Sequence, residues 1–110
     1  MQLVPALGDG GVERSTVEMV GYLREKGIPN FVVSAGGDLV SSVQADGAVH
    51  VPIPVGRKSP TAILRHAYMV SRLIDREEID IVHARSRAPA WVGFLATHMA
   101  RRRCHFLTTF

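Results

Sequence analysis

The spacing of apolar residues changes period several times along the chain, and each change marks an element boundary. Gln2-Leu3-Val4-Pro5-Ala6-Leu7 is a short apolar run that dissolves into Gly8-Asp9-Gly10-Gly11. It predicts a brief first strand with Pro5 at its end or at an edge, because proline donates no ladder hydrogen bond. From Val12 the period lengthens: Val12, Thr16, Met19, Val20 and Leu23 fall on one helical face, and Lys26-Gly27 with Pro29 beyond stops the helix. Phe31-Val32-Val33-Ser34 reads as a buried strand closed by the turn Ala35-Gly36-Gly37-Asp38. A short helix through Leu39, Val40 and Val43 ends near Gly47, and Val49–Ile53 reads as a brief strand or extended segment.

Ser59-Pro60 supplies a cap followed by proline at the first helical position. Behind it Ile63, Ala67, Val70, Leu73 and Ile74 form an apolar stripe that ends near Glu77. Asp80–Ala84 is the next strand. Pro89 opens another helix, predicted to turn Trp91, Phe94, Leu95 and Met99 inward and to carry Arg101-Arg102-Arg103 in its last turn. His105–Phe110 is a further strand. Strands separated by helices of this length make βαβ units. The predicted fold is α/β, a Rossmann-like open, mostly parallel sheet with helices on both faces, in a single domain over residues 1–110. An apolar last strand with no covering helix after it makes the expected sheet incomplete at its C-terminal edge, because parallel sheets are normally covered on both faces.

Composition narrows the class. With 110 residues, 46% hydrophobic and 21% charged, the chain suits one globular domain. One cysteine, Cys104, excludes a disulfide scaffold, and no Cys/His cluster has zinc spacing. No apolar run is long enough to span a bilayer and no secretory signal is visible, so the expected location is cytoplasmic. Charge is uneven. Residues 1–56 carry a net of −3, whereas residues 57–110 carry ten Lys/Arg against Asp75, Glu77, Glu78 and Asp80, a net of +6. The basic half suits either a solvated helix surface or a phosphate-bearing partner.

Ligands of open α/β sheets bind outside the carboxyl ends of the strands. That rule gathers Gly8–Glu13, Ser34–Asp38, His83–Ser86 and Thr108–Phe110 on one rim. Gly10 and Gly11 let backbone N–H groups approach an anion at the start of a helix, although a tight turn needs glycine as well. Sharper motifs fail. Glu13 stands where a dinucleotide fingerprint needs glycine, Glu13-Arg14 replaces the Lys-Ser/Thr of a P-loop, and Val32 replaces the first glycine of a nucleophile elbow on Ser34. No His-x-x-x-His pair is present. His83, placed where the strand meets its loop, with Arg85 and Ser86 offers donors to a hydroxylated or anionic ligand, or simply a solvated loop. Trp91, His98 and Cys104 read as packing residues.

Taken together, Leu3-Val4-Pro5-Ala6-Leu7-Gly8-Asp9-Gly10-Gly11-Val12-Glu13-Arg14 resembles the opening of bacterial glycosyltransferases of family 4. Val32–Gly37, Asp80–Trp91 and the closing Thr108-Thr109-Phe110 are similar to later landmarks of the same family, in the same order. The resemblance implies the GT-B fold, two Rossmann-like domains facing across a cleft, with this chain as a truncated N-terminal, acceptor-side domain. It implies a hexosyltransferase-type reaction: sugar transfer from a nucleoside-diphosphate sugar to a lipid-linked or saccharide acceptor in cell-envelope polysaccharide synthesis, with retention of configuration. No metal or other cofactor is implied.

Carried over by position, Gly10 and Gly11 would bind the donor diphosphate, and His83, Arg85 and Ser86 would lie on the acceptor side. The family's active-site histidine would follow Phe110, so no catalytic residue falls in this chain and the chain alone is expected to be inactive. A homodimer through the last strand and a peripheral contact with the inner face of the cytoplasmic membrane are the further expectations, and no nucleic-acid partner is expected. The competing reading is a self-contained flavodoxin-like phosphate- or nucleotide-binding module. A basic adaptor for nucleic acid or membrane is weaker, because the aromatics are not interleaved with basic residues.

Overall fold

The computed structural model describes residues 1–8 and 11–109, with Val12 described by its backbone alone. Strands and helices alternate: β1 (Gln2–Leu3), α1 (Gly11–Glu25), β2 (Phe31–Ser34), α2 (Val40–Ala45), β3 (Val49–Pro52), α3 (Pro60–Arg76), β4 (Ile81–Arg85), α4 (Arg87–Met99) and β5 (His105–Thr109). The boundaries have local causes. Gly27 ends α1 in the left-handed region, and the Ile28 N–H reaches back to the Leu23 carbonyl, which satisfies carbonyls that the helix end would otherwise leave open. Gly47 closes α2 in the same way through Ala48 and Val43. Ser59 caps α3, its hydroxyl accepting from the Ala62 N–H, with Pro60 next to it.

All pairings are parallel, in the order β3-β2-β1-β4-β5. β1 is therefore central, with Gln2 opposite Val32 and His83, and Leu3 opposite Val33 and Ala84. Pro5 explains why it is so short: past Leu3 the chain stays bonded toward β2 alone. The Val4 N–H donates to Val33, the Pro5 carbonyl accepts from Ala35, and the Leu7 N–H donates to Gly36.

The pleat divides the core in two. Leu3, Val33, Val82 and Ala84 face α3 and α4 and pack with Val70, Ile74, Val92 and Ala96. Val4 and Val32 face the opposite side, where Leu7, Val20 and Val43 join them beneath α1 and α2. The Rossmann-like parallel fold expected from the alternating pattern is the one observed.

Helix α4 departs from expectation. It begins at Arg87 rather than Pro89, ends at Met99, and buries Ala88, Pro89, Val92, Gly93 and Ala96. Trp91, Phe94 and Met99, expected inside, are 60%, 43% and 45% exposed; Leu95 alone of the predicted set packs against the core. The reason is proximity. A Cβ on Gly93 would lie 2.8 Å from Phe106 and 3.2 Å from Leu3, so the helix sits too close to the sheet for large inward side chains. Arg101–Arg103 likewise lie beyond the helix. The amides of Arg101 and Arg102 both donate to the Asp75 carboxylate, which ties the α4–β5 connection to the end of α3 and holds that carboxyl's pKa below its usual value.

The turn after β2 is equally tight. At Gly37, with φ +145°, a Cβ would stand 2.5 Å from the Leu7 carbonyl carbon and oxygen. Gly37→Ala is therefore expected to destabilise the chain by about 3 kcal/mol or more, read from urea unfolding midpoints, because backbone must move to admit it. A shift below about 1 kcal/mol would show that this turn relaxes freely.

Candidate functional site

The order β3-β2-β1-β4-β5 reverses direction between β1 and β4, and the two loops leaving their carboxyl ends diverge to opposite faces of the sheet. That crevice is where open α/β sheets take their ligands. One wall is the start of α1 at Gly11, the other the β4–α4 junction at Arg85 and Ser86. Gly11 is exposed, and a Cβ built there would meet nothing within 4 Å. Packing among the described residues thus makes no demand for glycine at the mouth of this helix. Asp9 and Gly10 lie outside the described residues, as does Phe110.

A polar chain crosses the crevice. The Arg85 Nε donates to the Gln2 side-chain oxygen at 3.2 Å, and the Gln2 amide donates to the Thr16 carbonyl in α1 at 3.4 Å. Gln2 is buried, and its two hydrogen bonds couple the central strand to both walls. Arg85 is half-buried. Burial lowers its pKa from the arginine norm, yet it remains a cation at neutral pH, and its planar fork suits a phosphate or carboxylate. Beside it the helix start contributes the positive end of the α1 dipole.

His83 lies in the middle of β4, not at its loop, and shares the α1-side face of the sheet with Gln2 and Arg85. Its Nε2 is 2.7 Å from the Thr109 hydroxyl. Burial first, then the Arg85 guanidinium and the N-terminal ammonium, hold its pKa below the histidine norm, so the ring is neutral at pH 7. It also borders a groove of about 560 Å³ between α1 and β5, lined by Met19, Leu23, Ile81 and Leu107.

Ser86 caps α4 with φ 84° and ψ 166°, backbone that glycine alone adopts without strain, and its hydroxyl makes no capping bond. Its N–H donates to the Thr109 carbonyl, which fixes this turn against β5. Ser34, on the neighbouring strand, is fully buried; its hydroxyl accepts from the Gly36 N–H and pairs with His50 Nε2 at 2.7 Å. That pair pins the turn, with Ser34 closed off and His50 half-buried.

The structure brings Gly11, Arg85 and Ser86 to the rim of one crevice and sets His83 below it, on the same sheet face as Arg85 but two residues before the end of the strand. Gln2 and Thr109 as partners of Arg85 and His83 were not foreseen. The one available signal was a glutamine inside an otherwise apolar strand. Among the described residues no group of three or more His, Cys, Asp or Glu comes together in a metal-binding cluster, and no helix is long and apolar enough to cross a membrane.

The family model for Glycosyltransferase Family 4 matches residues 9–110. The chain belongs to glycosyltransferase family 4. A crystal structure of a glycosyltransferase from Rickettsia africae ESF-5 is similar to this family 4 chain, with 37% sequence identity and a TM-score of 0.80 over 99% of its length. The chain spans 29% of that structure's length. No curated protein matches it.

Two outcomes follow from this geometry. Ser86→Gly is expected to relieve the backbone strain and raise stability by about 1 kcal/mol in urea melts. Unchanged or lower stability would mean that the strain is absent.

The second concerns pH. His83, His66 and His50 all have pKa values lowered by burial, with Arg65 and Arg57 adding to the effect at His66. Below 6.5 the unfolded chain binds protons that the folded chain refuses, so the contribution of these histidines to folding stability should be full above that pH and fall as the pH drops through the lowered values. Unfolding curves at about pH 7.5 and about pH 5.5 check this, and equal stability at both would refute it.

Proposed function

We propose that this chain forms the acceptor-side part of a retaining glycosyltransferase that moves a sugar from a nucleoside diphosphate to a saccharide or lipid-linked hydroxyl. The observation that carries the reading is the polar chain Thr16–Gln2–Arg85 at the switch point, which holds a half-buried guanidinium in place through Gln2 and links it to α1. In this reading the N–H groups at Gly10 and Gly11 together with Arg85 meet the charge of the diphosphate, so its departure as an anion is assisted by fixed donors. Neutral His83, with Thr109 orienting its ring, accepts a hydrogen bond from an acceptor hydroxyl, and the Ser86 hydroxyl supplies a second contact. Family membership and the 37% identity to a glycosyltransferase support the class of reaction.

The chain by itself is expected to turn over no nucleotide-sugar, because the greater part of a chain like the matched glycosyltransferase lies outside the matched portion. Turnover above a no-protein control would overturn this. Titration with a nucleoside diphosphate, followed by amide chemical shifts, is expected to perturb Gly11, Arg85 and Ser86 with affinity near the millimolar range, about −4 kcal/mol. Micromolar binding would instead favour a self-contained phosphate- or nucleotide-binding module, and shifts confined to another surface would remove the rim assignment.

A further inference from the structure

The carboxyl-end rim carries a second group of cations that the crevice does not use. The connection from β3 to α3 crosses the top of the sheet, anchored in the core by Ile53 and Val55. Gly56 is pressed against Pro5: a Cβ there would lie 2.8 Å from the Pro5 Cβ and 3.2 Å from its Cα. Since Leu3 lies opposite Ala84, the β4–α4 turn at Ser86 leaves the sheet at the same level as Pro5. Arg57 and Lys58 thus reach the rim at Pro5, as Arg87 at the start of α4 does from the β4 side.

All three cations are exposed, and none has an ion-pair or side-chain hydrogen-bond partner among the described residues. The sequence places no acid between Asp46 and Asp75 and none after Asp80. Glu13 and Asp38, the described acids at this end, belong to α1 and to the turn before α2, the elements of the opposite face. Helices α3 and α4 pack against each other and both start at this rim, so their positive ends adjoin. Ser59 satisfies the Ala62 N–H and Pro60 has none, which leaves the Thr61 N–H as the open donor of the first turn. One turn below Ala62, His66 is 3% exposed, and its Nδ1 has no partner among the described residues. Arg57 is close enough to help lower its pKa, so this open nitrogen lies under the same loop, where a water or a ligand oxygen would complete it.

We infer that Arg57, Lys58 and Arg87 form a subsite for a phosphate group carried by the acceptor, which makes the acceptor a phosphorylated saccharide. The inference rests on the acceptor-side reading above and adds the class of acceptor. Arg57 meets two phosphate oxygens with its planar fork, Lys58 and Arg87 add charge, and the Thr61 N–H supplies a neutral donor. Charge selects the ligand. A phosphate monoester carries about two negative charges at neutral pH, against three unpaired cations and two helix starts. A single carboxylate would leave most of that charge unanswered, and a neutral sugar would leave all of it.

Amide chemical shifts of the chain titrated with glucose 6-phosphate test this. Arg57, Lys58, Thr61 and Arg87 are expected to shift in a saturable way, and glucose at the same concentrations is expected to leave them unmoved. Arg57→Gln and Lys58→Gln should each weaken binding about tenfold with an unchanged urea midpoint, whereas Lys58→Arg retains it. The shifts should persist when a nucleoside diphosphate is added. Three results would each overturn the proposal: an equal response to glucose, equal affinity for inorganic phosphate (an adventitious ion only), or shifts confined to Gly11 and Arg85. Sugar-phosphate shifts at Arg57 and Lys58 without nucleoside-diphosphate shifts at Gly11 and Arg85 would sink the crevice reading and leave this subsite standing. The reverse pattern would remove the subsite alone.

Discussion

Two residues of central strand hold the molecule together. Gln2 and Leu3 are hydrogen-bonded in register to β2 on one side and to β4 on the other, so the α1–α2 half and the α3–α4 half meet only through them in the sheet. Their side chains divide the task. Leu3 is fully buried in the larger core, while Gln2 turns to the other face and bonds to α1 and to Arg85. The same two residues therefore close the fold and set the distance between the walls of the crevice. Pro5 enforces the economy by ending β1 on the β4 side, so that beyond Leu3 the strand bonds toward β2.

Around that strand the site is made from backbone constraints as much as from side chains. Ser86 is held in a glycine-type conformation by its hydrogen bond to Thr109 and by the helix that starts after it. Strain of this kind persists only where neighbouring structure over-determines it, and such positions concentrate at ligand sites. Gly37 lies against the backbone of Leu7 and fixes the segment that leads from β1 to α1. The crevice is thus bordered by turns that have little freedom to adjust, which favours preorganised recognition of a charged group.

The helical layer shows how one close contact redistributes a whole surface. Because Gly93 admits Leu3 and Phe106 against the α4 backbone, the inward line of that helix is restricted to small residues. Its large apolar side chains are then displaced to the outside, beside the arginines of α3 and of the α4–β5 connection. The tethering of Arg101 and Arg102 amides to Asp75 leaves the Arg101 and Arg103 side chains exposed on that same surface.

Apolar period and turn chemistry were enough to locate α1, β2, α2, β3, α3, β4 and β5, because strands and helices of this length carry their own caps, glycines and stripes. The helix-between-strands order was enough for the parallel α/β class, and the motif order pointed to glycosyltransferase family 4. The rim rule also drew Gly11, Arg85 and Ser86 to one place. The inward face of α4 was not legible, since hydrophobicity ranks Trp91 and Phe94 above Ala88 and Gly93, whereas interhelical and helix–sheet distance ranks them the other way. Nor was the partnership of Gln2 with Arg85, residues 83 positions apart in sequence, which exists only because parallel pairing lays β1 beside β4. Local sequence specifies which segment forms and where it stops. Which side chains meet across segments depends on strand order and close approach, and those are properties of the packed chain alone.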